Sequence, residues 1–218
     1  MKSYFTNKRA EVAEFLPPSL DSLRVLEIGC GAGVFRSNFA SVGEYWGVEV
    51  NPQAADQAAG LIDKVLEGTY RDVCDQLPEE YFDCVICADV IEHMDDEIWF
   101  LQHIKTKMRK NGILVGSIPN VRYVSNLVRL LIQKDWRYVD AGILDRTHLR
   151  FFTCKSLLRT FRETRWKIDE FRGINPISID SSSFVKFFIS LGLVALTFFV
   201  GRDSRCFQFG FRIRLQQD

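Results

Sequence analysis

The sequence predicts an α/β protein built on a parallel, doubly wound sheet. Short apolar runs alternate with helix-like segments through residues 24–118, and this alternation is typical of parallel sheets. The first apolar run leads directly into three glycines on alternate positions, 29, 31 and 33. The next run ends at Glu49, and Glu27 stands just before the glycine loop. Acids at two strand ends beside a glycine loop favour a nucleoside bound at the carboxyl edge of the sheet.

The helices of the first half are bounded by residues that begin or end helices. Asn51 and Pro52 supply an N-cap and a first-turn proline, and Asp95 and Asp96 supply capping carboxylates. The predicted helices are 4–16, 34–42, 51–61 and 95–110. The apolar runs between them predict strands at 24–28, 46–50, 64–66, 82–88 and 113–118.

The second half begins with a less regular pattern. Residues 124–133 are predicted as a short helix and residues 134–152 as irregular chain. Thr153 is placed to cap a helix that ends near residue 164. Two further strands are predicted at 166–171 and 206–215.

A hydrophobic segment, residues 184–200, lies between these last two strands. As a helix it would be roughly 25 Å long, at the lower limit for crossing a bilayer. Three interpretations stay open. The segment is a helix buried in or capping the domain, a helix that rests on a membrane or contacts a lipid-linked substrate, or a true span.

Charge and cysteine content indicate the kind of substrate and the cellular compartment to expect. Lys plus Arg equals Asp plus Glu at 28 each, but residues 121–165 carry ten basic and four acidic side chains. A local excess of six positive charges favours an anionic substrate or a solvated helix face. Residues 1–18 lack a secretory signal, so six reduced cysteines in a cytoplasm are expected. Cys84 and Cys87 lie in a predicted strand and should point to opposite faces, so no metal site is predicted.

The spacing of the glycines in this loop excludes two common classes of nucleotide-binding site. A dinucleotide site requires G-x-G-x-x-G, whereas this loop reads G-x-G-x-G with Val34 in the place of the third glycine. A G-K-S/T signature for a nucleotide triphosphatase is also missing.

Residues 25–33, VLEIGCGAG, and residues 47–52, GVEVNP, resemble class I S-adenosylmethionine-dependent methyltransferases. The resemblance covers about residues 23–215 and implies S-adenosylmethionine as cofactor and S-adenosylhomocysteine as product. It also implies a Rossmann-like, three-layer α/β/α fold on a mostly parallel seven-stranded sheet with a reversed last strand. The seven predicted strands match, with 206–215 as the reversed one.

The resemblance implies cofactor contacts in four loops. Glu49 is expected to bind both ribose hydroxyls, since a carboxylate accepts two hydrogen bonds at once. Many members carry an acid where this chain has Thr69, which leaves the contact to the adenine amine open. His93 either contacts the ligand or closes the start of a helix. The other residues assigned to the cofactor are Glu27, Gly29, Cys30, Gly31, Gly33, Val50, Gly68, Ala88, Asp89 and Val90.

Two later segments, 117–123 and 135–153, are similar to a bacterial methyltransferase subgroup often associated with surface-polysaccharide and glycan biosynthesis. The resemblance implies a polar, anionic glycan, sugar or small-molecule acceptor, which could be phosphorylated or lipid-linked. Arg122, Arg146 and Arg150 could clamp its phosphate or carboxylate, since guanidinium forks match those anions. Tyr123 is expected to close the cofactor cleft.

Methyl transfer to a hydroxyl also requires removal of a proton, and histidine suits that task because its pKa is near neutral. His148 is predicted as the base, with Asp145 to orient it. The alternative is a histidine that fixes its loop by hydrogen bonds. O-methylation is favoured over N-methylation.

The predicted organisation is one domain, residues 1–218, with a lid-like insertion near 121–152 and a hydrophobic insertion near 176–205. Two other functions stay open: a non-catalytic partner module with the cofactor fold, and a nucleic-acid methyltransferase that uses the basic segment. The N-P-P-Y signature of amino-methylating enzymes is missing, so no nucleic-acid partner is expected. A cytoplasmic location is predicted, with peripheral contact to the inner membrane face through residues 184–200.

Overall fold

The computed structural model of the chain describes residues 8–179 and 181–216. Within these residues one sheet contains seven strands, which are Leu20–Ile28 (β1), Val42–Glu49 (β2), Lys64–Glu67 (β3), Phe82–Ala88 (β4), Met108–Pro119 (β5), Trp166–Pro176 (β6) and Cys206–Leu215 (β7). Their order is β3-β2-β1-β4-β5-β7-β6. The pairs among β1 to β5 are parallel, whereas β7 is antiparallel to both β5 and β6. The predicted sheet with a reversed last strand is confirmed.

The described residues also contain seven α-helices, one before β1 and six between strands. They are Ala10–Ala13 (α1), Pro52–Ala58 (α2), Tyr70–Val73 (α3), Glu97–Lys107 (α4), Val124–Val128 (α5), Cys154–Glu163 (α6) and Phe184–Val200 (α7). The predicted caps are confirmed, because the side chains of Asn51, Asp96 and Thr153 each accept a hydrogen bond from the first turn of their helix.

Two predicted helices differ from the structure. The segment 34–42 contains only a 3-10 helix, Val34–Asn38, and Val42 already begins β2. Gly43 therefore lies in a strand, where a Cβ would approach the backbone carbon of Ser22 to 2.8 Å. Close strand packing, not helix termination, explains this glycine. The N-terminal helix is reduced to α1 in the described residues, and positions 4–7 lie outside them.

Helices cover both faces of the sheet and bury two separate apolar clusters. One cluster includes Phe100 of α4 and Phe161 of α6, and the other includes Phe15 beside α1 and Ala58 of α2. Cys87 belongs to the first cluster and Cys84 to the second. The two cysteines therefore point to opposite faces of β4, as predicted.

Helix α7 lies on the surface with its polar side inward. Of its seventeen residues only Ser190 and Thr197 are fully buried, whereas Phe184 is 79% exposed and Phe199 is 87% exposed. The structure therefore excludes a helix buried in the core, whereas a helix that caps the domain and a helix that rests on a membrane stay predictions. Among the described residues, no helix combines the length and the apolar character that crossing a membrane requires.

Candidate functional site

The glycine loop joins β1 to the 3-10 helix at the carboxyl edge of the sheet. Gly29, Gly31 and Gly33 have φ values of 70°, 54° and 77°, a region that side chains disfavour. The N–H of Gly29 donates to the carbonyl of Val48 at 2.8 Å, which ties the loop to the end of β2. A Cβ on Gly29 would lie 2.8 Å from a methyl group of Val90. The loop is thus held between the ends of β2 and β4.

Glu49 ends β2 and faces this loop. Its carboxylate is 4% exposed, and its two oxygens accept hydrogen bonds from the N–H groups of Gly31 and Asn51, both at 2.8 Å. Each carboxylate oxygen has about two acceptor positions, so each retains one for a further donor. This arrangement fits a ribose, whose adjacent hydroxyls can donate to the two oxygens.

Glu27 lies beneath the loop and is a buried acid. The hydroxyl of Tyr45 donates to it at 2.8 Å. Burial, aided by the nearby charge of Glu49, raises the pKa of Glu27 from 4.5 to about 8. A cationic group bound beside it would favour its ionised form.

The buried Glu27 makes folding stability pH-dependent. Between about pH 5 and 8 the folded chain keeps a proton that the unfolded chain has released, so the free energy of unfolding falls as pH rises, by up to about 1.4 kcal/mol per pH unit. We expect Glu27→Gln to remove this fall and to stabilise the chain most at pH 8. Urea unfolding across this range measures it, with Glu163→Gln on the surface of α6 as control. Equal slopes in wild type and Glu27→Gln would contradict the expectation.

The loops assigned to adenine are organised by short-range hydrogen bonds. The N–H of Gly68 donates to the carbonyl of Glu49 at 2.9 Å. The hydroxyl of Thr69 bonds to Asp72, and together they form the capping box of α3. Val50 is 64% exposed at the rim, where a flat apolar ring could cover it.

A partly buried polar network, which the sequence did not predict, surrounds Asp89 after β4. Asp89 has a φ of 56°, and its carboxylate accepts hydrogen bonds from Arg9, from Ser117 at 2.7 Å and from Gln208 at 2.6 Å. Arg9 also donates to Ser117 at 2.9 Å. Burial acts to lower the pKa of Arg9, but the charge of Asp89 and its hydrogen bond outweigh burial and raise it. A fixed guanidinium here could bind the carboxylate of a cofactor.

Glu92 and His93, which follow Asp89 in the segment after β4, lie beside His148. Glu92 is 1% exposed, and within the described residues neither of its carboxylate oxygens has a hydrogen-bond partner. Burial, followed by the charge of Asp89, raises the pKa of Glu92 well above its ordinary value. Nε2 of His148 lies 4.0 Å from Oε1 of Glu92, and the rings of His93 and His148 are 4.7 Å apart. Burial, and then the nearby His148, lower the pKa of His93.

Asp145 does not hold the ring of His148. Its carboxylate accepts hydrogen bonds from the N–H and hydroxyl of Thr147, at 2.8 and 2.6 Å. These bonds outweigh burial and lower the pKa of Asp145. Nδ1 of His148 pairs instead with the carbonyl of Ile143 at 3.0 Å. The orientation of His148 by Asp145 is therefore corrected, because a backbone carbonyl takes that place.

The three arginines assigned to the substrate have protein partners. Arg122 forms an ion pair with Asp203 at 2.9 Å and also donates to the carbonyl of Val200. Arg150 forms an ion pair with Glu97 at 2.9 Å. Arg146 is 63% exposed at its side chain and pairs with Asp140 at 2.7 Å. Arg122 and Arg150 thus fasten the segment 121–152 to its neighbours. Tyr123 packs its ring edge-on against Phe207.

Comparisons with known proteins identify sequences and structures that are similar to this chain. The family described as "Methyltransferase domain" matches residues 2–170. A mitochondrial ubiquinone biosynthesis O-methyltransferase of Schizosaccharomyces pombe is 30% identical over 71% of this chain and 59% of its own length. A ubiquinone biosynthesis O-methyltransferase of Rhodopseudomonas palustris is 29% identical over 73% of the chain and 65% of its own. The chain thus spans less than two thirds of either relative.

Two solved structures share the fold. A SAM-dependent methyltransferase from Archaeoglobus fulgidus superposes with a TM-score of 0.62 and 20% identity, over 95% of this chain and 94% of that one. A SAM-dependent methyltransferase from Thermotoga maritima superposes with a TM-score of 0.63 and 18% identity, over 97% of this chain and 89% of that one. At such identities the likeness shows the fold alone.

Proposed function

Since this chain belongs to the methyltransferase domain family, whose cofactor is S-adenosylmethionine, we propose that it methylates a hydroxyl oxygen of a lipid-linked acceptor. The observation that carries the proposal is the edge formed by the glycine loop, Glu49 and the Asp89 network. These groups lie at the ends of neighbouring parallel strands, where the family's cofactor binds.

The residues of this edge fit the cofactor part by part. Glu49 would accept from the ribose hydroxyls, and the glycine loop would leave room for the methionine chain. Glu27 would face its ammonium group, and Arg9 its carboxylate. When bound, the cofactor supplies an electrophilic methyl group on a sulfonium. The protein fixes the direction of approach, since in-line displacement depends on orientation.

Helix α7 supports a lipid-linked acceptor. Its outward phenylalanines, including Phe184 and Phe199, form an exposed apolar surface, and such surfaces mark contacts with lipid or protein partners. The helix packs beside α5, and Arg122 holds its last turn through Val200, so it adjoins the segment 121–152. We propose that this segment acts as the lid over the acceptor. The named relatives, which are ubiquinone biosynthesis enzymes, also favour a hydrophobic acceptor, whereas the sequence favoured a polar, anionic glycan, sugar or small molecule that could be lipid-linked.

The test is transfer of labelled methyl groups. Purified protein is incubated with methyl-labelled S-adenosylmethionine and, in separate reactions, with a membrane lipid extract or a water-soluble glycan extract. We expect label in the lipid fraction, and mass spectrometry should place the methyl group on oxygen. Label confined to soluble glycans would restore the glycan acceptor, and no label in either fraction, with no binding of cofactor, would overturn the proposal.

Membrane contact through α7 is open to a direct measurement. We expect the double change Phe184→Ser and Phe199→Ser to weaken binding to phosphatidylcholine–phosphatidylglycerol vesicles by at least about tenfold, because each buried phenylalanine contributes about 1.5–3 kcal/mol. Vesicle flotation measures the bound fraction. Leu61→Ser, at a site 57% exposed outside α7, is the control. Equal flotation of the double variant and wild type would exclude α7 as the contact.

A further inference from the structure

We propose that Glu92, His93 and His148 bind a single divalent transition-metal ion beside the Asp89 network. The inference rests on the proposed methyl transfer, because it names the group that would activate the acceptor hydroxyl. One ligand atom from each of the three side chains lies within 4.8 Å of the other two. Two imidazoles and one carboxylate form a ligand set that Zn²⁺ and Fe²⁺ use in proteins.

Both histidines are oriented as metal ligands are. Nδ1 of His148 pairs with the carbonyl of Ile143 at 3.0 Å, and Nδ1 of His93 pairs with the carbonyl of Thr147 at 3.2 Å. A carbonyl accepts only if the ring nitrogen carries the proton, so each bond leaves the lone pair on Nε2. Metal-binding histidines are typically held by this second hydrogen bond.

Glu92 supplies the observation that points to a cation. Its carboxylate is buried, and within the described residues it accepts no hydrogen bond. A buried carboxylate without a partner is strongly destabilising, and a bound cation removes that penalty. Within the described chain no amide or hydroxyl group donates to the Glu92 carboxylate, and the basic side chain that lies beside it is His148, with Nε2 at 4.0 Å from Oε1.

The backbone already holds the two parts of the site together. The carbonyl of Glu92 accepts hydrogen bonds from the N–H groups of Leu149 and Arg150, at 2.9 and 3.1 Å. Ligand atoms about 2.1 Å from a tetrahedral ion lie about 3.4 Å apart. Nε2 of His148 and Oε1 of Glu92 are 4.0 Å apart, and no pair of the three ligand atoms is more than 4.8 Å apart, so side-chain rotations that shorten these distances by up to about 1.4 Å would close the site.

Such an ion would change the role of His148. Three protein ligands leave a coordination position open, which is typical of catalytic sites. A hydroxyl of the acceptor bound there has its pKa lowered by the cation. The O–H bond breaks, the proton passes to solvent and the electron pair stays on oxygen. Nε2 of His148 would then be a ligand, and the ion would replace the general base predicted from the sequence.

Cobalt titration tests the site without reference to activity. The full chain is treated with a chelator, and Co²⁺ is added while visible absorption is recorded. We expect a visible absorption band of bound Co²⁺ that saturates at one equivalent. In His148→Ala and Glu92→Gln this band should be lost, or the affinity for Co²⁺ should be at least about tenfold weaker. Calorimetry with Zn²⁺ and with Mg²⁺ identifies the preferred ion. His103→Ala is the control, since His103 pairs with Tyr70 on another face of the fold.

Three results would overturn the metal site: no stoichiometric uptake by wild type, unchanged uptake by His148→Ala, or wild-type uptake by Glu92→Gln. The last result would mean that the carboxylate carries a proton. Glutamine has nearly the same shape as glutamate but carries no charge, so Glu92→Gln should remain folded and the test stays valid. Titration of S-adenosylmethionine into the metal-free chain separates the two proposals. Cofactor binding without metal uptake overturns only the metal site, whereas failure to bind cofactor with or without metal overturns the proposed function.

Discussion

Glu49→Gln is expected to weaken S-adenosylmethionine binding by at least about 100-fold. Each hydrogen bond from a hydroxyl to a charged acceptor contributes about 1.5–3 kcal/mol, and Glu49 would accept two from the ribose. The amide nitrogen of glutamine is a donor, yet both carboxylate positions face backbone donors, the N–H groups of Gly31 and Asn51. One of these donors would lose its acceptor, so the glycine loop would loosen as well. Isothermal titration calorimetry measures the change.

A neighbouring acid provides the matched control for this change. Glu67 ends β3 and pairs in register with Glu49, but its side chain is exposed. We expect Glu67→Gln to bind the cofactor as wild type does. Circular dichroism establishes that both variants are folded. A folded Glu49→Gln chain with wild-type affinity would remove Glu49 from the ribose site.

The geometry of the edge that we propose for the cofactor was predictable because its signals are local. The glycines at 29, 31 and 33 stand where the backbone takes positive φ values, which side chains disfavour. Glu49 could be placed opposite them because parallel strands end at the same edge of a sheet. Asn51 and Asp96 marked helix starts by side-chain hydrogen bonds within three residues.

The Asp89 network and the environment of Glu92 were not predictable because their contacts are distant in sequence. Arg9 reaches Asp89 across 80 positions and Gln208 reaches it across 119. Arg9 belongs to a short N-terminal segment without a motif, so no local pattern marked it. Glu92 had no assigned role in the sequence analysis, because its burial without a hydrogen-bond partner depends on the turn that carries His148.

The same reasoning explains where two expectations and the structure part. One of the three interpretations of residues 184–200 was a helix buried in the domain, but hydrophobicity alone does not show which side of a helix faces the protein. Here Ser190 and Thr197 face the protein. Gly43 was predicted to end a helix, whereas its role is close approach to Ser22 on the adjacent strand. A glycine shows that space or conformation is restricted, and the fold shows which restriction applies.

Gly116→Ala is expected to destabilise the chain by about 3 kcal/mol or more. Gly116 pairs with Cys87 in the centre of the sheet, and an added Cβ would lie 2.3 Å from the carbonyl oxygen of Cys87 and 2.7 Å from the ring of Phe211. Overpacking of a rigid core typically costs about 1–3 kcal/mol and sometimes more, and the obstacle here is backbone of a central strand. Urea unfolding followed by tryptophan fluorescence measures the loss.

Gly192→Ala is the matched control, and we expect the opposite sign. Gly192 lies inside α7, and nothing approaches its Cβ position within 4 Å, so alanine should stabilise the helix by up to about 1 kcal/mol. The change Gly116→Ala should also disturb the proposed cofactor site. The N–H of Asp89 donates to the carbonyl of Ser117, the next residue of β5, at 3.0 Å. Separation of β4 from β5 would pull Asp89 from Ser117 and Arg9 and weaken cofactor binding. Equal stability of the two alanine variants would show that the space between β4 and β5 accommodates a Cβ at position 116. The prediction that tight packing at Gly116 supports this site would then be wrong.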